Sequence, residues 1–257
     1  MLAASASLLN IKVIILDVGE HAPAKQILAP IEPELAHIDG SFKDPEKILH
    51  LADKVDILTV EIEHVDVDIL DKVAQLQRVQ IHPSPSTIRV IQDKYNQKKH
   101  LQKAGIAVAE FFEIPEPTPE AVRAAVDKLG LPLMIKSRTL AYDGRGNFVL
   151  RHASQIEEAL ATLKDRPLYA EKWVNFEREI AIMVVRTANG TVASYPAVET
   201  VHKDNICLLT FAPLRSSDPA EKANARQLAE SAVLTFEGAG IFGVEMFQLP
   251  EGSYLYL

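Results

Sequence analysis

Cys207 is the only cysteine among 257 residues. An intrachain disulfide is therefore impossible, and a reducing, intracellular home is expected. No apolar run approaches the roughly 20 residues that a bilayer-spanning helix needs, so no membrane partner is expected. Basic residues do not predominate: 27 Lys and Arg stand against 35 Asp and Glu, for a formal net charge of -8. A nucleic-acid footprint would need a basic stripe, although a local basic pocket for a phosphorylated ligand is not excluded. Internal repeats and low-complexity segments are also missing. The leading "MLAASASLLNIKV" has the outline of a signal peptide but lacks a basic start, and it flows into "VIILD", which reads as a strand. Cys207 itself, inside "ICLLTF", is expected to be a small buried hydrophobe.

What is present is an ordinary globular balance, 47 % hydrophobic and 24 % charged. "IKVIILD" (11–17) is a continuous apolar run ending in an acid, the pattern of a buried parallel strand. "DPEKILHLADKV" follows as an amphipathic helix, with Asp44 as N-cap and Pro45 at the first helical position. "DILTVEIEH" (56–64) reads as the next strand and "DVDILDKVAQLQ" as the next helix. This alternation predicts a parallel α/β sheet. The Pro/Ser-rich "IHPSPS" (81–86) marks a domain boundary.

Beyond it, one long helical pattern runs over residues 87–103 and stops at Gly105. A helix "AVRAAVDKLG", strands "LPLMIKS" and "NFVLR", a helix at 154–164 and a strand "PLYAEKWV" come next. From Glu179 onward the strands are joined by short turns and interrupted by one helix at about 218–236, a mostly antiparallel pattern. The fold class is thus α/β followed by α+β. The expected domains are 1–84 and 85–257, the second divided into 85–166 and 167–257.

Several residues have chemistry to offer. Lys136, in "LPLMIKS", shares a face with Met134; it is either a lysine on a wet sheet face or an ammonium aimed at phosphate oxygens. "AYDGRGNFVL" (141–150) is neither a phosphate-binding loop ending in Gly-Lys-Ser/Thr nor a dinucleotide fingerprint, since no helix follows. A G-x-G between strands can cover phosphates with backbone N–H groups, and a plain turn has no use for Tyr142, Asp143 and Arg145 together. "YAEKWV" is either an amphipathic edge strand or a hinge that holds an adenine. Glu245, in "GVEMF", is costly to bury unless it is paired or on a metal.

The succession of a strand lysine, "YDGRGN", "EKWV", "FERE", "VETVHKDN" and "GVEMF" resembles the ATP-grasp superfamily. More narrowly it resembles the N5-carboxyaminoimidazole ribonucleotide synthetases and the matching part of fungal-type phosphoribosylaminoimidazole carboxylases. The resemblance implies an ATP-grasp fold preceded by a partial Rossmann-like domain. It also implies an ATP- and Mg²⁺-dependent reaction, with two ions, that joins bicarbonate to 5-aminoimidazole ribonucleotide through carboxyphosphate in purine biosynthesis. Tyr142, Asp143, Gly144, Arg145, Gly146 and Asn147 would form a lid that keeps water from the intermediate. Lys94 and Lys136 would hold ATP phosphates, Glu171, Lys172, Trp173 and Val174 the adenine, and Glu179 the ribose. His202 would contact nucleotide near the bicarbonate. Tyr142, Asp143, Arg145, His202 and Lys203 would attend the reacting groups, and Glu245 would ligate the metal. Glu61 and His64, at a strand end where ligands gather in open α/β sheets, would border the ribonucleotide.

The resemblance further implies a cytoplasmic protein, a homodimer, and a C-terminal carboxylase/mutase domain in some members. Two departures set expectations of their own. The family's Gly-rich opening loop and its later Asn-Glu and Arg-x-His-Asn-Ser-Gly-His stretches have no counterpart, so a fragment without turnover is expected. The alternatives are another ATP-grasp carboxylate–amine ligase, which "YPAVETVHKDN" disfavours, a nucleotide-binding module without turnover, and a redox Rossmann protein, which the missing fingerprint disfavours.

Overall fold

The computed structural model describes residues 2–30, 32–141, 145–164, 166–203 and 206–257. The chain divides into two compact units, Met1–Arg89 and Val90–Leu257.

The first unit runs α1 (Leu2–Leu8), β1 (Leu16–Asp17), α2 (Pro23–Ile27), β2 (Ile38–Asp39), α3 (Pro45–Ala52), β3 (Ile57–Thr59), α4 (Val67–Gln75), β4 (Gln80–His82) and α5 (Pro85–Gln92). The unit boundary falls inside α5. Both strand pairs, β1 with β2 and β3 with β4, are parallel. Asp44 and Asp66 begin α3 and α4 by accepting hydrogen bonds from the second and third helical amides, donors a helix start otherwise leaves unpaired. Ile48, Ala52, Ile69, Leu70 and Val73 of these helices close over Leu58 and Ile81 of the strands.

Two expectations need correction here. Residues 11–15 are not strand: Ile11 is exposed, and only Leu16 and Asp17 have a partner strand. Residues 2–8, read from sequence only as an apolar leader, form a short helix with no buried residue.

The second unit runs α6 (Lys94–Lys103), β5 (Phe111–Ile114), α7 (Pro119–Leu129), β6 (Leu133–Ser137), β7 (Asn147–Leu150), α8 (Ile156–Leu163), β8 (Leu168–Lys172), β9 (Arg178–Arg186), β10 (Val192–Ser194), β11 (Val198–Lys203), β12 (Ile206–Phe211), α9 (Pro219–Leu234), β13 (Gly240–Gln248) and β14 (Tyr254–Tyr256). The single helix expected over 87–103 is two. Asp93 adopts an extended backbone, φ −111° and ψ 104°, and its carboxylate accepts from Asn96 N to start α6 afresh. An apolar–polar period cannot reveal such a break, because both helices keep it.

Two sheets organise this unit. The first is antiparallel in the order β5-β8-β6-β7, and the second follows β12-β11-β9-β13-β14 with β10 beside β9. Strand alternation makes each sheet two-faced. In β6, Leu133, Ile135 and Ser137 are buried while Met134 and Lys136 point the other way. Val122, Ala125 and Leu129 of α7 and Ile156, Ala159 and Leu163 of α8 supply the matching apolar stripes. On the second sheet, Ala225, Ala229 and Ala232 let α9 lie close against Ile180, Ile182, Val244 and Met246. Complete burial of one such Ile or Leu contributes about 1.5–3 kcal/mol. Gln97 of α6 donates 2.9 Å to the Tyr256 hydroxyl, and Tyr256 N donates 2.9 Å to Ala107 O.

Cys207 is exposed, contrary to expectation. Among the described residues its strand β12 lies at the sheet edge and pairs with β11 alone, and Ile206, Leu208 and Leu209 are exposed with it.

Candidate active site

The faces of the two sheets that carry no helix stripe line a cleft of about 330 Å³. From β6, β7 and β8 come Lys136, Asn147, Glu171 and Lys172, followed by Trp173, Val174 and Phe176; from β9, β11 and β13 come Glu179, His202, Glu245 and Phe247. An adjoining recess of about 200 Å³ shares Lys136, Asn147 and Glu245 and adds Lys94, Gln97, Lys98 and Tyr169.

The centre of charge is Glu171. Lys136 Nζ donates to its Oε2 at 2.9 Å, and the Tyr169 hydroxyl donates to Oε1 at 2.8 Å. Lys98 Nζ stands 3.2 Å from Oε1 without the alignment of a hydrogen bond, so this buried ammonium has donors to spare. The side chains of Lys98 and Glu171 are 3 % and 5 % exposed, so each is nearly cut off from water. Burial alone would push the Glu171 carboxyl up; Lys136 and Lys98 outweigh it and hold it at about 2. Burial lowers Lys98, against the pull of Glu171. Two ammonium groups on one carboxylate leave an excess positive charge facing the recess.

Across the cleft, His202 Nδ1 lies 2.8 Å from Glu179 Oε2. The Glu179 carboxyl is raised, first by burial and also by Glu245, with His202 opposing. Glu245, expected from its apolar surroundings to be a metal ligand, is exposed on the cleft face, because Val244 and Met246 take the buried positions on either side. Phe176 and Phe247 stack with ring centroids 4.2 Å apart, giving the other end of the cleft an apolar floor. Arg151 lies over the Trp173 ring at 5.7 Å.

Residues 99–256 match the family model described as the ATP-grasp domain. The chain belongs to the ATP-grasp family. Residues 1–92 match a second model, the ribonucleotide synthetase preATP-grasp domain. The chain is similar to the phosphoribosylaminoimidazole carboxylase of Ogataea methanolica, with 54 % identity over 255 residues, covering 99 % of this chain and 46 % of the relative. Among solved structures it resembles the carboxyaminoimidazole ribonucleotide synthase of Aspergillus clavatus complexed with ATP. That match has a TM-score of 0.93 and 49 % identity, and covers 100 % of this chain and 65 % of the other. The same organism's N5-carboxyaminoimidazole synthase in complex with ADP and 5-aminoimidazole ribonucleotide matches at TM-score 0.92 and 48 % identity, again over 100 % and 65 %. The chain thus spans less than half the length of the first relative and just under two thirds of these two.

Within this ATP-grasp frame, the cleft gathers nine residues singled out from the sequence: Lys136, Asn147, Glu171, Lys172, Trp173, Val174, Glu179, His202 and Glu245. Lys94 joins Lys136 in the recess. Arg145 is exposed just before β7, and Lys203 is exposed at the end of β11. Tyr142, Asp143 and Gly144 lie outside the described residues. Gly146 has φ +92°, and a Cβ there would meet Ser137 Oγ at 3.0 Å and Ala141 Cβ at 3.2 Å; only glycine fits. Lys172 pairs with Glu110. In the other unit, Glu61 Oε1 accepts from Leu2 N at 3.3 Å, and His64 lies 3.6 Å from Glu63.

Sequence reasoning missed Lys98, Tyr169, Phe176 and Phe247. For Lys98 a signal existed: it sits three residues before Leu101 and so shares the buried face of α6. The aromatic pair gave none, since Phe176 follows a strand end and Phe247 reads as core.

Proposed function

We propose that this chain binds ATP in the cleft and serves the ATP-dependent carboxylation of 5-aminoimidazole ribonucleotide by bicarbonate. The observation that carries this reading is the buried Lys98 ammonium, held beside Lys136 on Glu171 with donors unspent. Such an arrangement is costly in an empty protein and suited to phosphate oxygens.

On this reading the nucleobase lies over the Phe176–Phe247 floor, against the backbone of residues 171–174. Lys98 and Lys136 turn from Glu171 toward the phosphates, while Glu171 stays ionised and fixes both stems. Bicarbonate is a poor electrophile, and phosphorylation to carboxyphosphate supplies the leaving group that releases CO₂ to the amine. Arg145 and the neighbouring residues 142–144, together with Gly146, shield that intermediate from water. His202 and Glu179 hold a proton between them at the bicarbonate end, with Lys203 near the strand end. The carboxylates of Glu245 and Glu179 face one cleft, and the charge of Glu245 helps raise the Glu179 carboxyl, a repulsion that a divalent cation would relieve. When bound there, Mg²⁺ would neutralise the charge that develops between phosphates. Glu61 and His64 belong to the same proposal as contacts to the ribonucleotide.

Among the described residues no helix is long and apolar enough to cross a membrane. The cytoplasm as setting, a homodimer and an appended carboxylase/mutase domain are part of the proposal.

The test is ADP release from MgATP and bicarbonate, with and without 5-aminoimidazole ribonucleotide. It is run on this chain and on a version lengthened to the span of the Aspergillus clavatus enzyme. Release that depends on the ribonucleotide in the longer protein supports the substrate. Release elicited instead by another amine leaves the ATP site standing and discards the ribonucleotide.

A further inference from the structure

Arg138 directly follows β6, two residues after Lys136 and at the foot of the segment that leads to Gly146. Its guanidinium grips Asp93 with three bonds, Nε to Oδ1 at 3.1 Å, Nε to Oδ2 at 3.0 Å and Nη2 to Oδ2 at 2.6 Å. Its Nη1 donates to Glu113 Oε1 of β5 at 2.8 Å, and the group lies 4.9 Å from the Tyr95 ring centroid. The backbone repeats the connection. Lys94 N donates to Arg138 O at 2.8 Å, and Arg138 N donates to Pro167 O at 2.8 Å.

Asp93 already caps α6 through Asn96 N at 3.1 Å, so the helix start is satisfied without Arg138. What the guanidinium adds is a fixed distance between the start of α6 and the end of β6. Those two places carry Lys98, one turn into α6, and Lys136, which converge on Glu171. An exposed ion pair would fix little; here the two side chains are 19 % and 18 % exposed, and a planar fork matches a carboxylate as a lysine cannot.

We propose that Arg138 and Asp93 form a positioning pair that registers the first turn of α6 against β6 and so keeps Lys94 and Lys98 at the phosphate end of the nucleotide site. The inference rests on the ATP reading above. Neither residue touches substrate; both act through the lysines, and a displacement of about 1 Å in such groups is enough to weaken phosphate binding.

The test compares Arg138→Lys, which keeps the charge and loses the fork, with Asp93→Asn, which keeps a capping oxygen and loses the charge. Three quantities are read on the full chain: dissociation constants for ATP and for adenosine, amide hydrogen exchange at Lys94 and Asn96, and the melting temperature. Expected are about tenfold weaker ATP binding with adenosine unchanged, about tenfold faster exchange at those two amides, and a double variant little worse than either single one. Equal weakening of ATP and adenosine, or unchanged ATP affinity, would overturn the positioning role in favour of a purely structural one. If the unsubstituted chain binds neither ligand, the ATP reading fails. Exchange at Lys94 then decides the clamp alone, faster exchange supporting it and unchanged exchange overturning it. If Arg138→Lys does not fold, Asp93→Asn carries the same readings.

Discussion

Lys136 Nζ and Glu171 Oε2 are 2.9 Å apart on adjacent strands, β6 and β8, and the pair sits where the described residues hold their most deeply buried charges, Lys98 and Glu171. Because Lys98 leans on the same carboxylate, removing that carboxylate leaves two ammonium groups facing each other in a site with little water. Glu171→Gln is therefore expected to cost about 3–5 kcal/mol, the penalty of breaking a buried ion pair. Adding Lys98→Met should recover most of the loss. Chemical denaturation of the two single variants and the double variant measures this. A double variant no more stable than Glu171→Gln would show that Lys98 is not what the carboxylate supports.

The same carboxylate sets an acid limb. Its pKa in the folded protein is depressed from 4.5 to about 2. The unfolded chain therefore takes up the proton first as pH falls. Stability from this group is complete above 4.5 and disappears as pH drops toward 2. Denaturation midpoints across that window should fall less steeply in Glu171→Gln than in the unsubstituted protein.

Lys98 and Lys94 give a sharp comparison. Lys98 is buried with its ammonium at the recess, whereas Lys94 is partly exposed at the helix start. Charge-assisted contacts are worth about 1.5–3 kcal/mol, so Lys98→Met should weaken ATP binding by about tenfold to a hundredfold. Lys94→Met should weaken it several-fold less. Calorimetric titration with ATP separates the two, and the reverse order would return the principal phosphate role to Lys94.

Gly146→Ala should destabilise by about 1–2 kcal/mol, since an L-residue at φ +92° is strained and its Cβ would press on Ser137 and Ala141. Thermal unfolding reads the loss. No change in melting temperature would mean that the backbone near residue 146 moves without cost.

How much of this was legible beforehand follows from the physics of each element. Asp44 and Pro45 announce α3, because capping is local chemistry written in adjacent residues. The outward face of β6 was also readable, since alternation alone puts Lys136 opposite Ile135. The break at Asp93 was not, because the helices on either side keep the same apolar–polar period and the extended backbone between them leaves no mark in it. Lys98 left only the trace of its spacing from Leu101; what makes its burial tolerable is Glu171, which folding alone brings beside it. For Glu245 the apolar neighbours Val244 and Met246 gave no face; only the sheet shows that it meets the cleft. The motif residues, by contrast, could be picked out from the linear sequence.

The bond between Gln97 and Tyr256 joins residues 159 apart. A ribosome delivers the chain from its N-terminus, so α6 emerges long before the hydroxyl that holds it. Until residues 254–256 arrive, Gln97 has no such partner, and the loop that must close is among the longest in the second unit. Non-local closure of this kind is slow. The anchoring of α6 through Gln97 is therefore a late event in synthesis, and on the proposed reading the nucleotide site is complete only once residues 254–256 have emerged.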